Sequence, residues 1–423
     1  MKNTYKMELW DMMQSFFKDY NDHMMHAAYY FDGKMDVEAL KKAVEATFKY
    51  VPVITCRFIT NSYRGYWEQL DSYNINEIVT FKESKNLEDV EKFICDIIDE
   101  TKGPQIKMQV IRVDGKDTLA VLFNHMVCDG AGFKKYIQML SQFYTGYLND
   151  KNFTPQFTVS QERSFKHFFK SFTVKEQLKL LGMGEYGQPN DKKKGFPFEN
   201  VDTNTLPSRV VKHKISAETF AQMKAWGKAN NATINDIIVA CYIRALTDKI
   251  GKHAMEVDCI VDLRRYLKDK EVIGFTNFVS KMICSIGEDI GADIKETVVK
   301  VHNNLEDAKN NYPGCSGLSK LRLGYSLFTY AIAKKVVRKR YNNPLVAISN
   351  IGIIPESDYV FGKLKIADAY MTGSIKRNPF IQLALTTFHN EITMTFAIYG
   401  TENDCIVAKE VLQAIDSYAN QIK

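Results

Sequence analysis

The residues best suited to chemistry lie in the segment LAVLFNHMVCDGAGF, 119–133. A strongly apolar stretch ends at Asn124 and His125, and Asp129 and Gly130 follow just before a helical pattern begins. Imidazole has the side-chain pKa nearest to neutrality, so His125 is suited to take a proton from a substrate and return it. A strand that opens into a helix presents such a side chain to a pocket. The segment therefore predicts general-base chemistry at His125.

Other interpretations stay open on these residues alone. His125 could simply end a strand while Asp129 caps the helix, which would be a structural role for both. The His-x3-Asp spacing also occurs in metal sites, but no third ligand is evident, so no metal is expected. A serine-hydrolase triad is disfavoured because the chain has no G-x-S-x-G segment, and nothing around Cys128 indicates a reactive thiol. A P-loop and a strand-linked G-x-G-x-x-G are not found either.

Alternating strand and helix patterns surround this segment and must position it. A tight turn at Asp114 and Gly115 joins two predicted strands, 106–113 and 118–124, so that the second strand leads directly to His125. Apolar residues at helical spacing follow from Phe133. Further strands are predicted at 24–31 and 53–60, and further helices after Asp36 and at 87–98.

A stretch rich in Gly, Pro, Asn and Asp separates two such halves. It falls between about 149 and 206 and has the composition of a long loop or linker. Beyond it, strands are predicted at 209–215, 257–263, 277–286, 345–350, 364–371, 380–388 and 392–399, and helices at 216 onward, 233 onward, 290–310, 318–338 and 404–422. The predicted fold is therefore mixed α/β, with an N-terminal half at 1–170, a linker at 171–208 and a C-terminal half at 209–423. A ligand pocket is expected where the halves meet.

Composition limits the class of protein. The net charge of +6 arises from 56 basic and 50 acidic residues mixed along the 423-residue chain, without the basic and aromatic pattern of a nucleic-acid surface. No apolar run approaches the ~18 residues of a membrane span. The eight cysteines are scattered without zinc-site spacing, which favours free thiols in a reducing compartment. We therefore expect a cytoplasmic protein that neither binds nucleic acid nor crosses a membrane.

The stretch NHMVCDG, 124–130, resembles the HHxxxDG motif of the chloramphenicol acetyltransferase-like superfamily. That superfamily includes condensation domains of nonribosomal peptide synthetases, alcohol acetyltransferases and dihydrolipoyl acyltransferases. The second histidine of the motif is the catalytic base, a role that the resemblance assigns to His125. Asn124 replaces the first histidine, a supportive position. The resemblance also implies that Asp129 holds the site by pairing with an arginine, and that Gly130 allows a close backbone turn.

The resemblance extends along nearly the whole chain. The opening FDGKMDVEALKKAVEATFKYVPVITCRF is similar to the first strand, helix and strand of condensation-type enzymes. VDLRRYL is similar to a segment that makes Arg264 the partner of Asp129, and GFTNFVS matches Asn277 to a family asparagine. AISNIG resembles a segment of dihydrolipoyl acyltransferases, which assigns to Ser349 a hydrogen bond to the oxyanion. Asn277 and Asn350 are candidate pocket residues.

This resemblance implies a particular architecture and reaction. The two halves would form a chloramphenicol acetyltransferase-like pseudo-dimer with a tunnel between them and His125 near its middle. An acyl group would pass directly from a thioester to a hydroxyl or amine, without a covalent intermediate and without a cofactor. The favoured hypothesis is an O-acyltransferase of the alcohol acetyltransferase type that takes acyl-CoA as co-substrate and a small alcohol or amine as acceptor. The alternatives are a free-standing condensation enzyme that uses the thioester of an acyl carrier protein, and a non-catalytic binding relative.

Overall fold

The computed structural model describes residues 3–184, 193–199 and 205–423. Within them the strands are β1 (Thr4–Lys6), β2 (Met24–Phe31), β3 (Cys56–Thr60), β4 (Gly65–Gln69), β5 (Val79–Glu83), β6 (Ile106–Val113), β7 (Lys116–Asn124), β8 (Ser208–Ile215), β9 (Glu256–Asp262), β10 (Val279–Ser285), β11 (Val346–Ile353), β12 (Ile366–Thr372), β13 (Ile381–Phe388) and β14 (Glu391–Tyr399). The helices are α1 (Leu9–Phe16), α2 (Val37–Thr47), α3 (Ile75–Ile78), α4 (Glu88–Ile94), α5 (Gly130–Asn149), α6 (Lys166–Lys170), α7 (Val174–Gly182), α8 (Ala217–Ala229), α9 (Ile234–Ile250), α10 (Ile294–Lys309), α11 (Leu318–Leu327), α12 (Tyr330–Arg340) and α13 (Glu402–Ala419).

Two large mixed sheets organise the molecule, one in each half. The first has the strand order β12-β2-β7-β6-β5, and the second has the order β10-β9-β11-β13-β14-β8. A smaller sheet, β1-β4-β3, lies beside the first. Helices α2 and α5 pack together in the first half, and α9 packs against α10 and α13 in the second. Two extended apolar cores result: one lies around the first sheet and includes residues from both halves, and the other belongs to the second half.

Strand β7 leads directly to His125 and is the most buried strand of the first sheet. It runs antiparallel to β2 on one side and to β6 on the other, and all its residues after Lys116 are buried. A strand with neighbours on both edges and cover on both faces is held firmly, which fixes the position of the residue that follows its end.

Strand β12 crosses from one half to the other. Its sequence lies in the range predicted for the C-terminal half, yet it pairs antiparallel with β2 and forms the edge of the first sheet. Residues Ala369 to Thr372 lie opposite Tyr29 to His26 in this pairing. The strand pattern at 364–371 indicated a strand but not its partner, because periodicity reports burial and not pairing.

The region predicted as a linker contains a helix. Helix α7 starts at a capping box in which the Thr173 hydroxyl accepts from the Glu176 amide and the Glu176 carboxylate accepts from the Thr173 amide. Residues 185–192 and 200–204 of the predicted linker lie outside the described residues. The helix predicted at 318–338 is divided into α11 and α12, because Thr329 caps a new helix by accepting from Ile332. In the described part of the chain, no helix is long and apolar enough to cross a bilayer.

Candidate active site

His125 follows the last residue of β7 and begins the turn into α5. Asn124 fixes the start of that turn: its amide donates to the Gln105 side chain at 2.6 Å, and its own oxygen accepts from the Met126 amide at 2.9 Å. Gln105 is held in turn by the carbonyls of Cys56 and Glu100. Asn124 is fully buried and does not line the cavity described below, so its place in the motif is structural.

The backbone of His125 is held on both sides. Its amide donates to the His23 carbonyl at 2.9 Å, and its carbonyl accepts from the side-chain amide of Asn277. Nδ1 of the ring is buried and has no hydrogen-bond partner among the described residues. The partly exposed ring therefore offers Nε2 as the nitrogen that a substrate can reach.

The surroundings of His125 favour the neutral form of its ring. Burial lowers the pKa of His125 below its ordinary value of 6.5, and the positive charge of Lys376 lowers it further. The Asp129 carboxylate and the Asn277 side chain oppose this effect only in part. A neutral imidazole with an accessible nitrogen is the form that acts as a general base.

The Asp129 carboxylate is fully engaged by the protein. Its oxygens accept from the Arg264 guanidinium at 2.8 and 3.2 Å, from the Gly132 amide at 3.0 Å and from the Phe278 amide at 2.7 Å. Burial alone would raise the pKa of Asp129, but the charge of Arg264 and these hydrogen bonds outweigh it and leave the pKa below its usual range. The pairing inferred from the sequence is therefore present. Its carboxylate joins the start of α5 in one half to the segment before β10 in the other.

The close backbone approach that the resemblance assigned to Gly130 occurs at Gly132. A Cβ atom on Gly130 would lie 3.4 Å from Ile351 Cγ2, an ordinary contact, whereas a Cβ atom on Gly132 would lie 2.6 Å from Cys128 Cβ. Cys128 is completely buried against this helix, and burial raises the pKa of its thiol well above the ordinary value. Cys128 thus packs the turn and is unsuited to nucleophilic chemistry.

A cavity of about 940 Å³ lies between the two halves and contains the His125 side chain. This volume is near the upper end of the range for small-molecule sites. Ser349, on β11 of the second half, lines the same cavity and is partly exposed to it. Its hydroxyl makes no hydrogen bond to another described residue. The structure therefore brings a candidate base and a candidate oxyanion donor to one space, each from a different half.

The two candidate pocket residues have different positions. Asn350 lines the cavity, and its side-chain oxygen accepts from the Gly352 amide at 3.0 Å, next to an irregularity in β11. Asn277 does not line the cavity. It supports the backbone of His125 from behind and is a positioning residue in this structure.

Sequence reasoning missed Arg163, which stabilises the turn after His125. Its guanidinium forms an ion pair with Asp11 at 2.9 Å and donates to the carbonyls of Met126 and Val127 at 3.2 and 3.4 Å. The available signal was Asp11, an acidic residue on an otherwise apolar helix face. That signal indicates a buried partner but does not identify it. Lys376, a second missed residue, also lines the cavity.

The chain is similar to known proteins in sequence and in fold. A family model described as "Condensation domain" matches residues 9–314. Bacitracin synthase 3 of Bacillus licheniformis is 21% identical over 345 residues, which are 77% of this chain. The chain spans only 5% of that relative's length.

Solved structures share the whole fold at low sequence identity. Trichothecene 15-O-acetyltransferase from Fusarium sporotrichioides superimposes with a TM-score of 0.70 at 12% identity, covering 100% of this chain and 96% of that one. The epimerization domain from the third module of tyrocidine synthetase B gives a TM-score of 0.68 at 14% identity, covering 100% and 97%. The expected pair of chloramphenicol acetyltransferase-like α/β halves is thereby confirmed. This chain belongs to the condensation domain family.

Proposed function

We propose that this protein transfers an acyl group from acyl-CoA to the hydroxyl of a small acceptor, or to an amine, with His125 as general base. The observation that carries the proposal is the partly exposed His125 ring in a cavity lined by both halves. Burial lowers the pKa of this ring, which favours the form that accepts a proton. The nearest carboxylate of the motif, Asp129, is occupied by Arg264 and backbone amides, so His125 is the group left to move a proton.

The proposed reaction is a direct transfer. The acceptor hydroxyl gives its proton to Nε2 of His125 while its oxygen attacks the thioester carbonyl carbon. Ser349 donates a hydrogen bond to the resulting oxyanion, a charge that appears only along the reaction path. The carbon–sulfur bond then breaks, and His125 returns the proton to the departing thiolate. Because no covalent intermediate with the protein forms, the orientation of the two substrates must supply much of the rate.

Basic side chains around the cavity support a donor that carries phosphate groups. Lys320 and Arg340 line the cavity, and both are exposed. They belong to the stretch 308–355, which has eight basic residues and no acidic one. Lysine binds phosphate through its ammonium group, and arginine binds it through two parallel hydrogen bonds of the guanidinium group. CoA has a 3′-phosphate and a pyrophosphate that such residues could bind. Free thiols at all eight cysteines support a reducing compartment, the cytoplasm, where acyl-CoA is available.

The second candidate is condensation with a thioester held on a carrier protein. The family match favours it, since the curated relatives are peptide synthetases. Both candidates use His125 in the same way and differ in what holds the phosphopantetheine arm. A carrier-bound donor would depend on a protein surface beside the cavity, and free CoA on the basic residues named above.

Thiol release from matched donors tests the proposal. The same acyl group is offered on CoA, on pantetheine and on a carrier protein, with alcohols and amines as acceptors. We expect acyl-CoA to exceed acyl-pantetheine in kcat/KM. If the carrier-bound donor is far better and the other two are equal, the condensation candidate replaces the first.

A His125→Ala variant tests the base. We expect turnover to fall by about 10²- to 10⁴-fold, the usual contribution of a general base. The surface variant His389→Ala, which removes an exposed imidazole, should keep the parent rate. A folded His125→Ala protein that works at the parent rate would exclude this mechanism. Binding of donors without turnover by the parent protein would instead indicate a non-catalytic relative.

A further inference from the structure

The cavity contains a cation that forms no ion pair with a carboxylate of the described residues. Lys376 lies in the segment between β12 and β13, and its side chain lines the cavity. Its ammonium group donates to Asn21 Oδ1 at 3.3 Å. Of the carboxylates in the described ranges, none comes within 4.0 Å of its Nζ atom. An ammonium group has three hydrogens to donate, so most of its capacity is left for something in the cavity.

Asp22 is the carboxylate whose charge acts on the Lys376 ammonium group. Its Oδ1 accepts from the amides of Met24 and Ile375, both at 3.0 Å. Its buried Oδ2 makes no hydrogen bond within the described residues and lies 3.4 Å from Nε2 of His26. Asp22 offsets the charge of Lys376 only partly: burial lowers the pKa of Lys376 from its ordinary 10.5 to about 8 despite this neighbour. A buried charge without a close counter-ion is unfavourable, and an anionic ligand would relieve it.

Lys376 is connected to His125 through a short segment of chain, residues 21–23. Asn21 pairs with Lys376 in an antiparallel bridge, and His23, two residues further on, accepts the backbone hydrogen bond of His125. Two residues span at most about 7 Å of chain. The charge of Lys376 also acts on the pKa of His125. The phosphates of a CoA donor lie at the far end of its pantetheine arm from the thioester, so they cannot reach a group next to the base.

We propose that Lys376 binds a carboxylate carried by one of the two reacting groups, either the acceptor or the acyl chain. This inference rests on the proposed function, because it assumes that the cavity holds both groups beside His125. The substrate class is then a hydroxy or amino acid as acceptor, or the thioester of a dicarboxylic acid as donor. A charge-assisted hydrogen bond between ammonium and carboxylate in this enclosed space would select such substrates over their neutral analogues.

Two pairs of substrates separate the sources of the carboxylate. The acceptor arm compares 6-hydroxyhexanoate with its methyl ester, using acetyl-CoA. The donor arm compares glutaryl-CoA with butyryl-CoA, using hexanol. In one arm we expect the parent protein to prefer the acid by about tenfold or more in kcat/KM, which matches one hydrogen bond to a charged group. Lys376→Met should remove the preference, measured as the ratio of kcat/KM for the acid to that for the neutral substrate, so that any change at His125 affects both alike. Lys376→Arg should retain part of this ratio. Lys335→Met, at an exposed position on α12, should behave as the parent.

Titration calorimetry with the same ligands keeps the inference separate from the proposed reaction. If no donor is turned over, tighter binding of 6-hydroxyhexanoate or glutarate than of their methyl esters, lost in Lys376→Met, still supports the carboxylate site. Melting curves confirm that the variant is folded, and Lys376→Gln replaces it if it is not. Equal use and equal binding of acids and neutral analogues by the parent protein overturn the inference. A preference for acids that survives in Lys376→Met overturns it as well.

Discussion

Replacing Asp129 with alanine should destabilise the protein strongly, because it leaves the buried charge of Arg264 without its partner. The carboxylate is 1% exposed and the Arg264 side chain 11% exposed, so removing one partner leaves the guanidinium with little access to water. Breaking a buried pair typically costs about 3–5 kcal/mol. Asp262 Oδ1, at 3.3 Å, and the Thr276 carbonyl, also at 3.3 Å, still accept from Arg264. We therefore expect the lower part of that range, about 3 kcal/mol, which already includes the lost helix cap because these terms are not additive.

Urea unfolding, followed by far-ultraviolet circular dichroism, measures this loss. Glu410→Ala is a matched control, since it removes one partner of the solvent-exposed Lys249–Glu410 pair and should leave the midpoint unchanged. Asp129→Asn keeps an oxygen for the Gly132 amide and separates the cap from the charge. An Asp129→Ala protein with the same midpoint as Glu410→Ala would refute the reasoning.

The same ion pair predicts how stability depends on pH. The pKa of Asp129 in the folded protein lies below its ordinary value of 3.8, so the folded state favours the carboxylate. The stabilisation is complete above the ordinary pKa and is lost as the pH falls through the lower folded value. In Asp129→Asn the free energy of unfolding should lack this decrease at low pH. Urea unfolding of both proteins at a series of acidic pH values compares them directly.

Three further outcomes are expected. Ser349→Ala should lower turnover by about 10²- to 10³-fold with little change in thioester affinity, and a wild-type rate would exclude the oxyanion role. The acidic limb of the pH profile of kcat/KM should have its midpoint below pH 6.5, because burial and the charge of Lys376 lower the pKa of His125 more than Asp129 raises it. In Lys376→Met this midpoint should move to higher pH. An unchanged midpoint would contradict this electrostatic account. Gly132→Ala should destabilise the fold by about 1–3 kcal/mol in urea, whereas Gly182→Ala, with open space around it, should not.

The strand, turn and helix cap around His125 could be predicted from the sequence because the information for them is local. An apolar strand ending at His125, with a capping residue at Asp129, is visible in consecutive residues. The partner Arg264 lies 135 residues beyond Asp129, and only the resemblance to a family located it. The residue types alone allowed a structural role for both members of the pair.

Contacts made across the chain were not visible in the same way. Arg163 and Lys376 belong to no motif, and each acts through backbone or side-chain groups far away in sequence. Position 132 requires glycine because a side chain there would clash with Cys128. The position of the Cys128 side chain cannot be predicted from the spacing of residues in the motif. Periodicity identified the strand at 364–371 but could not tell that β12 pairs with β2, since a strand pattern does not contain the identity of its neighbour.

The pairing of β12 with the first sheet limits how the two halves can move around the cavity. Strand β12 is hydrogen-bonded to β2 in the first sheet, and its Met371 and Thr372 line the cavity. The two halves therefore cannot separate by a hinge motion without breaking the hydrogen bonds between these two strands. Entry and exit of a ligand would then have to occur without separation of the two halves. It also follows that 1–170 made alone would present β2 as a bare, apolar edge prone to self-association. A chain cut between 171 and 208 should instead stay together as a nicked pair of fragments.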